Sequence, residues 1–217
     1  MDSLVAIVPV KPLAESKSRL AGVLDEMERV ALTRKLLERT LLKLTRARGI
    51  TRVMVISRDE KVLKIARKFG AWSILETHAH LNDALDQARR VCVANGARAL
   101  LIVPADLPKL RVRDIENIIA LGEPAPRVVI APAARDGGTN ALLLNPVRDF
   151  VFRFGENSFE EHVRQGTGKQ VAGEQVLGRQ VLGIKYQVEI YVSDSIAFDI
   201  DVPEDLENAS WKVESRN

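Results

Sequence analysis

The sequence predicts an α/β fold: three α/β/α layers around a mostly parallel, mixed central sheet, in one domain spanning residues 1–217. Three observations predict it. Apolar runs such as "LVAIVPV" and "ALLIVPAD" show no polar alternation, the mark of strands covered on both faces. Amphipathic helical stretches alternate with those runs, as a helix-flanked parallel sheet requires. A 217-residue chain that is 46% hydrophobic has material for one sizeable core, and no linker, repeat or low-complexity tract divides it.

The elements run in order. "LVAIVPV" is the first strand. "LDEMERVALTRKLLERTLLKLTRARG" is the clearest helix. Asp25 and Glu28 have capping-box spacing, Val30, Leu37, Leu41 and Leu44 recur on one face, and Gly49 is the stop. "TRVMVIS" and "AWSILE" are strands. Each precedes a helix, "DEKVLKIARKFG" ended by Gly70 and "NDALDQARRVCVANG" ended by Gly96. "ALLIVPAD", the helix "VRDIENIIALG" and the strand "RVVIAPA" continue the alternation. After Ala134 the character changes, and residues 135–195 read as excursions around a pocket. "ARDGGTNALLLNP" is a Gly-rich turn and a short strand, and "RFGENSFEEHVRQG" a loop leading into a short helix. Residues 168–192 are Gly-punctuated and suit helix or strand. "SIAFDIDVPEDL" reads as a strand and a brief C-terminal helix.

Composition narrows the function classes. The net charge of +3 does not point to nucleic acid: the basic residues of the long helix are interleaved with Glu26, Glu28 and Glu38, and no aromatic platform accompanies them. No apolar run approaches the roughly 20 residues that span a bilayer, and "MDSLVAIVPVKP" reads as a core strand, not a leader. The single cysteine, Cys92, is expected to be a buried structural thiol, and the protein to be cytoplasmic.

In parallel α/β sheets ligands collect at the carboxyl ends of strands, so the residues just past each strand matter most. The first strand leads into "KPLAESKSRL", where Lys11, Lys17 and Arg19 could neutralise a triphosphate without being a P-loop. The "VPADLP" strand ends in Asp106, which suits either a hard cation such as Mg²⁺ or a tight turn. "RDGGTN" and "FGENSFEEH" are glycine-rich approaches to an anion or ordinary turns; Thr139 adds a donor and Ser158 is a candidate helix cap. His162, among glutamates, is expected at the surface. Asp199 and Asp201 occupy i and i+2 of an expected strand. On one face they repel unless a cation joins them, and Asp106 would complete a three-carboxylate cluster for one or two Mg²⁺.

"VPVKPLAESKSRL", "PADLP", "GGTNALLL", "FGENSFEEH" and "DIDVPEDL", in this order over nearly the whole chain, resemble the 2-phospho-L-lactate guanylyltransferase family of coenzyme F-420 biosynthesis. The resemblance implies a nucleotidyltransferase fold (GT-A/Rossmann-like), and transfer of GMP from GTP to 2-phospho-L-lactate with release of pyrophosphate. Related members use phosphoenolpyruvate or 3-phosphoglycerate. Carried over by position, Asp106, Asp199 and Asp201 are the expected Mg²⁺ ligands. Thr139, Gly155 and Ser158 are the expected acceptor contacts. Lys11, Lys17 and Arg19 are the triphosphate cations, Asn82 lies near the nucleotide, and Lys17 and Asp106 are expected to be catalytic. The expected partners are GTP, a small phosphorylated three-carbon acid and a second copy of the chain, with neither nucleic acid nor membrane. A sugar-phosphate nucleotidyltransferase shares these demands; a basic nucleotide-binding module leaves the acidic strand ends unexplained.

Overall fold

In the computed structural model, which describes residues 3–148, 150–168 and 185–209, seven strands form one sheet. They are β1 (Leu4–Pro9), β2 (Ile50–Ser57), β3 (Trp72–Leu75), β4 (Ala99–Ile102), β5 (Arg127–Pro132), β6 (Thr139–Asn145) and β7 (Gln187–Ile190). Their spatial order is β3-β2-β1-β4-β6-β5-β7. Every pairing is parallel except those of β6, which runs antiparallel to both β4 and β5. The sheet is therefore mostly parallel and mixed, as the sequence predicts. Much of the Gly-punctuated segment, residues 169–184, lies outside the described residues, and its end supplies β7.

The helices are α1 (Glu26–Arg46), α2 (Glu60–Lys68), α3 (Leu81–Ala94), α4 (Val112–Leu121), α5 (Ser158–Gly166), α6 (Asp194–Ala197) and α7 (Pro203–Asn208). Strand alternation sorts the core into two layers. Leu4, Ala6, Val8, Val53, Val55 and Leu101 face α1, α2 and α4, meeting Leu37, Leu41, Leu44, Val62 and Ile115. Val5, Ile7, Met54, Ile56, Leu100 and Ile102 face the other way, against Ala84, Leu85, Ala88 and the buried Cys92 of α3, and against Phe150 and Phe152. This two-sided burial is why the strands read as unbroken apolar runs. At the start of α1 the capping box is formed: Asp25 accepts from Glu28 N–H at 2.9 Å, and Asp25 N–H donates to Glu28 at 2.8 Å.

A third, smaller cluster positions the site. Leu20, Leu24, Leu32 and Leu36 enclose Ile200, which is wholly buried. The strand expected here is instead α6 followed by extended chain through Val202. It joins the sheet edge through the bond from Ile200 N–H to Asp106 C=O, 3.2 Å long. The neighbouring segment carries Pro104 and Pro108, which lack the N–H groups that a ladder needs.

Candidate active site

A cleft of about 500 Å³ opens along the carboxyl ends of β1, β2 and β4, and Lys11, Lys17, Arg19, Asp106 and Asp201 all line it. The cations come from the loop after β1. That loop makes two 3-10 turns, Leu13–Glu15 and Ser18–Leu20, and is pinned by Leu13 N–H donating to Asp59 at 3.0 Å. Between the turns Lys17 adopts φ 56°, ψ 37°, a left-handed conformation that costs a side-chain-bearing residue on the order of 1 kcal/mol. Its side chain is only 8% exposed. The ammonium donates to Asp106 at 2.6 Å and to the Ile200 carbonyl. Arg19, more exposed, pairs with Asp201.

The acids sit where Ile200 puts them. With Ile200 drawn inward, Asp199 and Asp201 stay half-buried on either side. Burial pushes the Asp199 carboxyl above the usual range, and the Asp106 charge adds to this; Lys17 and Asn140 offset it in part. Two carboxylates under mutual repulsion, one of them partly desolvated, form a donor set that fits a hard divalent cation with oxygen ligands. Among the described residues, however, no three of His, Cys, Asp and Glu come together as a metal-holding group. Arg19 holds Asp201 and Lys17 holds Asp106, two of the three acids that the sequence leads one to expect at a metal. The arrangement fits two carboxylates supplemented by substrate phosphates, the usual mode for Mg²⁺.

Asp205, an acid in the first turn of α7, anchors this segment. It is 1% exposed, binds Arg135 through two bonds of 2.8 and 3.1 Å, and accepts from the N–H groups of Asp201 and Val202 at 2.8 and 2.9 Å. Burial alone would raise its pKa; the Arg135 and backbone hydrogen bonds outweigh that and hold it below the usual range. Because Arg135 precedes the Gly-rich turn, Asp205 also ties that turn to the acids.

The antiparallel direction of β6 brings Thr139, its first residue, to the carboxyl edge beyond Ile102 of β4. The two glycine-rich loops dock on each other. Asn157 N–H donates to Asp136 C=O and Phe159 N–H to Gly137 C=O, both at 3.0 Å. A Cβ at Gly138 would lie 2.7 Å from the Asp136 carboxylate, which would have to swing aside and give up its bond from Gly138 N–H. Gly155 has φ +140° and open space beside it. Thr139 and Ser158 are buried and bonded to each other at 3.1 Å. Their next partner is His162, which is wholly buried against Phe150 and Phe154, not on the surface as expected. The ring's Nε2 accepts from Arg153 N–H at 3.2 Å, so Nδ1 carries the proton and donates to Thr139 Oγ at 3.0 Å. Thr139 thus accepts twice and retains its own proton for a further acceptor. Burial, followed by the Arg153 charge, lowers the His162 pKa to about 4. Asn82, at the start of α3, clamps the same loop through Phe154 N–H and C=O at 2.8 and 3.2 Å; in this structure its amide is a loop support.

At the far end of the cleft, past β2 and β3, stand Arg58, Glu15 and Glu76. Arg58 pairs with Glu15 at 2.8 Å, and Glu76 is half-buried. Sequence reasoning missed this group, though "ISR" and "ILE" are strand ends like those that yielded Lys17 and Asp106. The cleft also buries the Thr33 hydroxyl, which has no hydrogen-bond partner among the described residues.

A family model described as "Guanylyl transferase CofC like" matches residues 4–210. Among curated relatives, the phosphoenolpyruvate guanylyltransferase of Rubrobacter xylanophilus is 38% identical over 94% of this chain and 92% of its own. The 2-phospho-L-lactate guanylyltransferase of Methanothermobacter thermautotrophicus is 35% identical over 93% and 81%. The 3-phospho-D-glycerate guanylyltransferase of Colwellia psychrerythraea is 31% identical over 93% and 88%. A nucleotide-diphospho-sugar transferase structure from Desulfovibrio desulfuricans G20 superposes with a TM-score of 0.73 at 15% identity, covering 95% of this chain and 85% of that one. The 4-diphosphocytidyl-2C-methyl-D-erythritol synthase of Anaerococcus prevotii does so at 0.56 and 14%, covering 95% and 94%. At such identities these two show the fold alone.

Proposed function

The chain belongs to the guanylyl transferase CofC-like family, and from that premise we propose that it transfers GMP from GTP to the phosphate of a three-carbon acid, foremost phosphoenolpyruvate, releasing pyrophosphate. One observation carries the reading: Lys11, Lys17 and Arg19 converge with Asp106 and Asp201 on a single cleft at the carboxyl edge of the sheet.

The chemistry asks for little else. A phosphate monoester is largely dianionic at neutral pH, with a second pKa near ~6, and needs no general base to attack. It needs relief from the charge of the triphosphate, in-line placement and a stabilised leaving group. Lys17 is the residue best placed to supply the first. Its left-handed backbone and its bonds to Asp106 and Ile200 fix the ammonium, so no reorganisation is needed when phosphate charge arrives. Arg19 offers the fork geometry for a terminal phosphate once it releases Asp201. Mg²⁺, when bound, would be held by Asp106 and Asp199, with Asp201 the third acid expected from the sequence, and it supplies neutralisation of phosphate charge. On the acceptor side, the spare proton of Thr139 and the docked glycine loops at Gly155 and Ser158 suit an anionic group.

Phosphoenolpyruvate is placed ahead of the 2-phospho-L-lactate expected from the sequence because the relative at 38% identity bears the former name and the one at 35% the latter. The 2-phospho-L-lactate reaction, giving lactyl-2-diphospho-5′-guanosine, is the second reading. A pyrophosphate-release assay crossing GTP and ATP with phosphoenolpyruvate, 2-phospho-L-lactate and 3-phosphoglycerate tests both. The expected result is release with GTP and phosphoenolpyruvate, with the guanylylated acid seen by mass spectrometry. Silence in every pair, with Mg²⁺ present, would overturn the function.

A further inference from the structure

We infer that Glu76 and Arg58 form the base-reading end of the cleft, with Glu76 accepting from N1–H and the 2-amino group of guanine and Arg58 donating to O6 and N7. The inference rests on the guanylyl-transfer reading above and adds the residues that select the base.

Placement comes first. The phosphate-binding groups lie at the ends of β1 and β4, and the segment around Ile200 closes that side. A nucleotide with its phosphates there must extend along the strand ends toward β2 and β3. Adjacent strands are about 4.8 Å apart, so the two or three spacings from β4 to the β2–β3 edge span roughly 10–14 Å, about a nucleoside monophosphate's length. Arg58 directly succeeds β2 and Glu76 directly succeeds β3, and both line the cleft at that distance.

Chemistry then favours the base over the sugar. Guanine shows donors at N1 and N2 beside acceptors at O6 and N7, and an arginine fork on O6/N7 is its commonest specific contact. Adenine reverses the order at its N1 and 6-amino positions, and a ribose diol, whose hydroxyls both donate and accept, asks for no fixed acid–guanidinium pair. An acid and a guanidinium side by side match the mixed edge. The backbone holds Glu76 in place, since its own N–H donates to Ser57 C=O at 2.9 Å and Arg58 N–H reaches its carboxylate. A carboxylate accepts about four hydrogen bonds, so one backbone donor leaves capacity for a ligand. Burial, then the charges of Arg58, Glu15 and His78, act on it, with a net rise in pKa that a pair of donors would reverse. Arg58 now rests on the exposed Glu15 and can leave it cheaply.

The test measures turnover and equilibrium competition for GTP, ITP, XTP, ATP and 2′-deoxy-GTP in the wild type, Glu76→Gln and Arg58→Met, with thermal melts as the folding control. Glu76→Gln should lower kcat/KM for GTP by about 10–100-fold, the usual cost of one charged contact. It should also make XTP the better substrate, since xanthine has a carbonyl at C2 that the new amide can meet. Arg58→Met should weaken GTP and ITP alike, because both carry O6 and N7, and affect ATP less, because adenine offers N7 but no O6. An unaltered GTP-over-XTP ratio in a folded Glu76→Gln would overturn the assignment. So would an equal loss for every ribonucleotide with 2′-deoxy-GTP spared, which would make Glu76 a ribose contact. Wild-type protein that neither binds nor turns over GTP would instead overturn the underlying function.

Discussion

His162 ties stability to pH in a window where few other groups act. Its folded pKa of about 4 lies below the ordinary 6.5, because burial against Phe150 and Phe154 penalises the charged ring and Arg153 adds to the penalty. Proton counting gives the sign. Between pH 6.5 and 4 the unfolded chain binds a proton at this ring that the folded chain refuses. Stability is therefore full above 6.5 and falls as the pH is lowered, at up to about 1.4 kcal/mol per unit. Across the whole window the loss is about 3 kcal/mol, a large share of the ~5–15 kcal/mol of a typical domain. Urea unfolding followed by far-UV circular dichroism, at half-unit steps from about pH 7.5 to 4.5, measures it. His162→Gln, which can still accept from Arg153 N–H and donate to Thr139, should lose most of the slope between about pH 6.5 and 5. A wild-type curve flat over that interval, or an unchanged slope in the variant, would refute the buried neutral imidazole.

Other expectations rest on the same geometry. Asp205→Asn removes a carboxylate that accepts from two backbone N–H groups and Arg135; at about 1.5–3 kcal/mol for each charged bond, partly retained by the amide, the unfolding free energy at pH 7 should drop by about 3 kcal/mol. Because the Asp205 pKa is depressed in the fold, its contribution is present above the unfolded carboxylate range and lost as pH falls through the folded value, so the variant's acid limb should be flatter. Asp199→Asn should abolish turnover yet raise the melting temperature in Mg²⁺-free buffer, since the ionised carboxyl is held there against burial and the Asp106 charge. Lys17→Met keeps the stem and loses the charge; kcat/KM should fall by about 100-fold or more, with the circular dichroism spectrum unchanged. Chelation of divalent ions should halt pyrophosphate release and Mg²⁺ restore it, which a pyrophosphate assay reads directly.

Much of this molecule is legible in its sequence where one residue obeys one rule. The apolar runs are strands because both sheet faces are covered, and Lys17, Arg19, Asp106 and Asp201 stand out because ligand groups gather just past strand ends. The features that the sequence hid depend on distant partners. His162 sits among glutamates in the chain but beneath two phenylalanines in space. Asp205 looks like an ordinary helix-start acid until Arg135, seventy positions earlier, reaches it. "DIDV" has strand alternation, yet its neighbour offers prolines in place of a ladder. Lys17 and Arg19, legible by the same rule, pair with two of the acids expected at a metal, a pairing that no local pattern announces.

The antiparallel β6 has a mechanical consequence. β5 and β6 form a hairpin, paired from Arg127 to Pro132, whereas β6 meets β4 only through Leu100–Ile102 against Leu142–Leu144. That short seam separates a half built of crossover units, carrying Lys17 and Asp106, from a half carrying Thr139. Partial opening of the sheet should begin there, as the least stitched boundary between two internally cohesive blocks. Amide exchange at Leu142–Leu144 then becomes a gauge of whether a ligand spanning both blocks fastens them together.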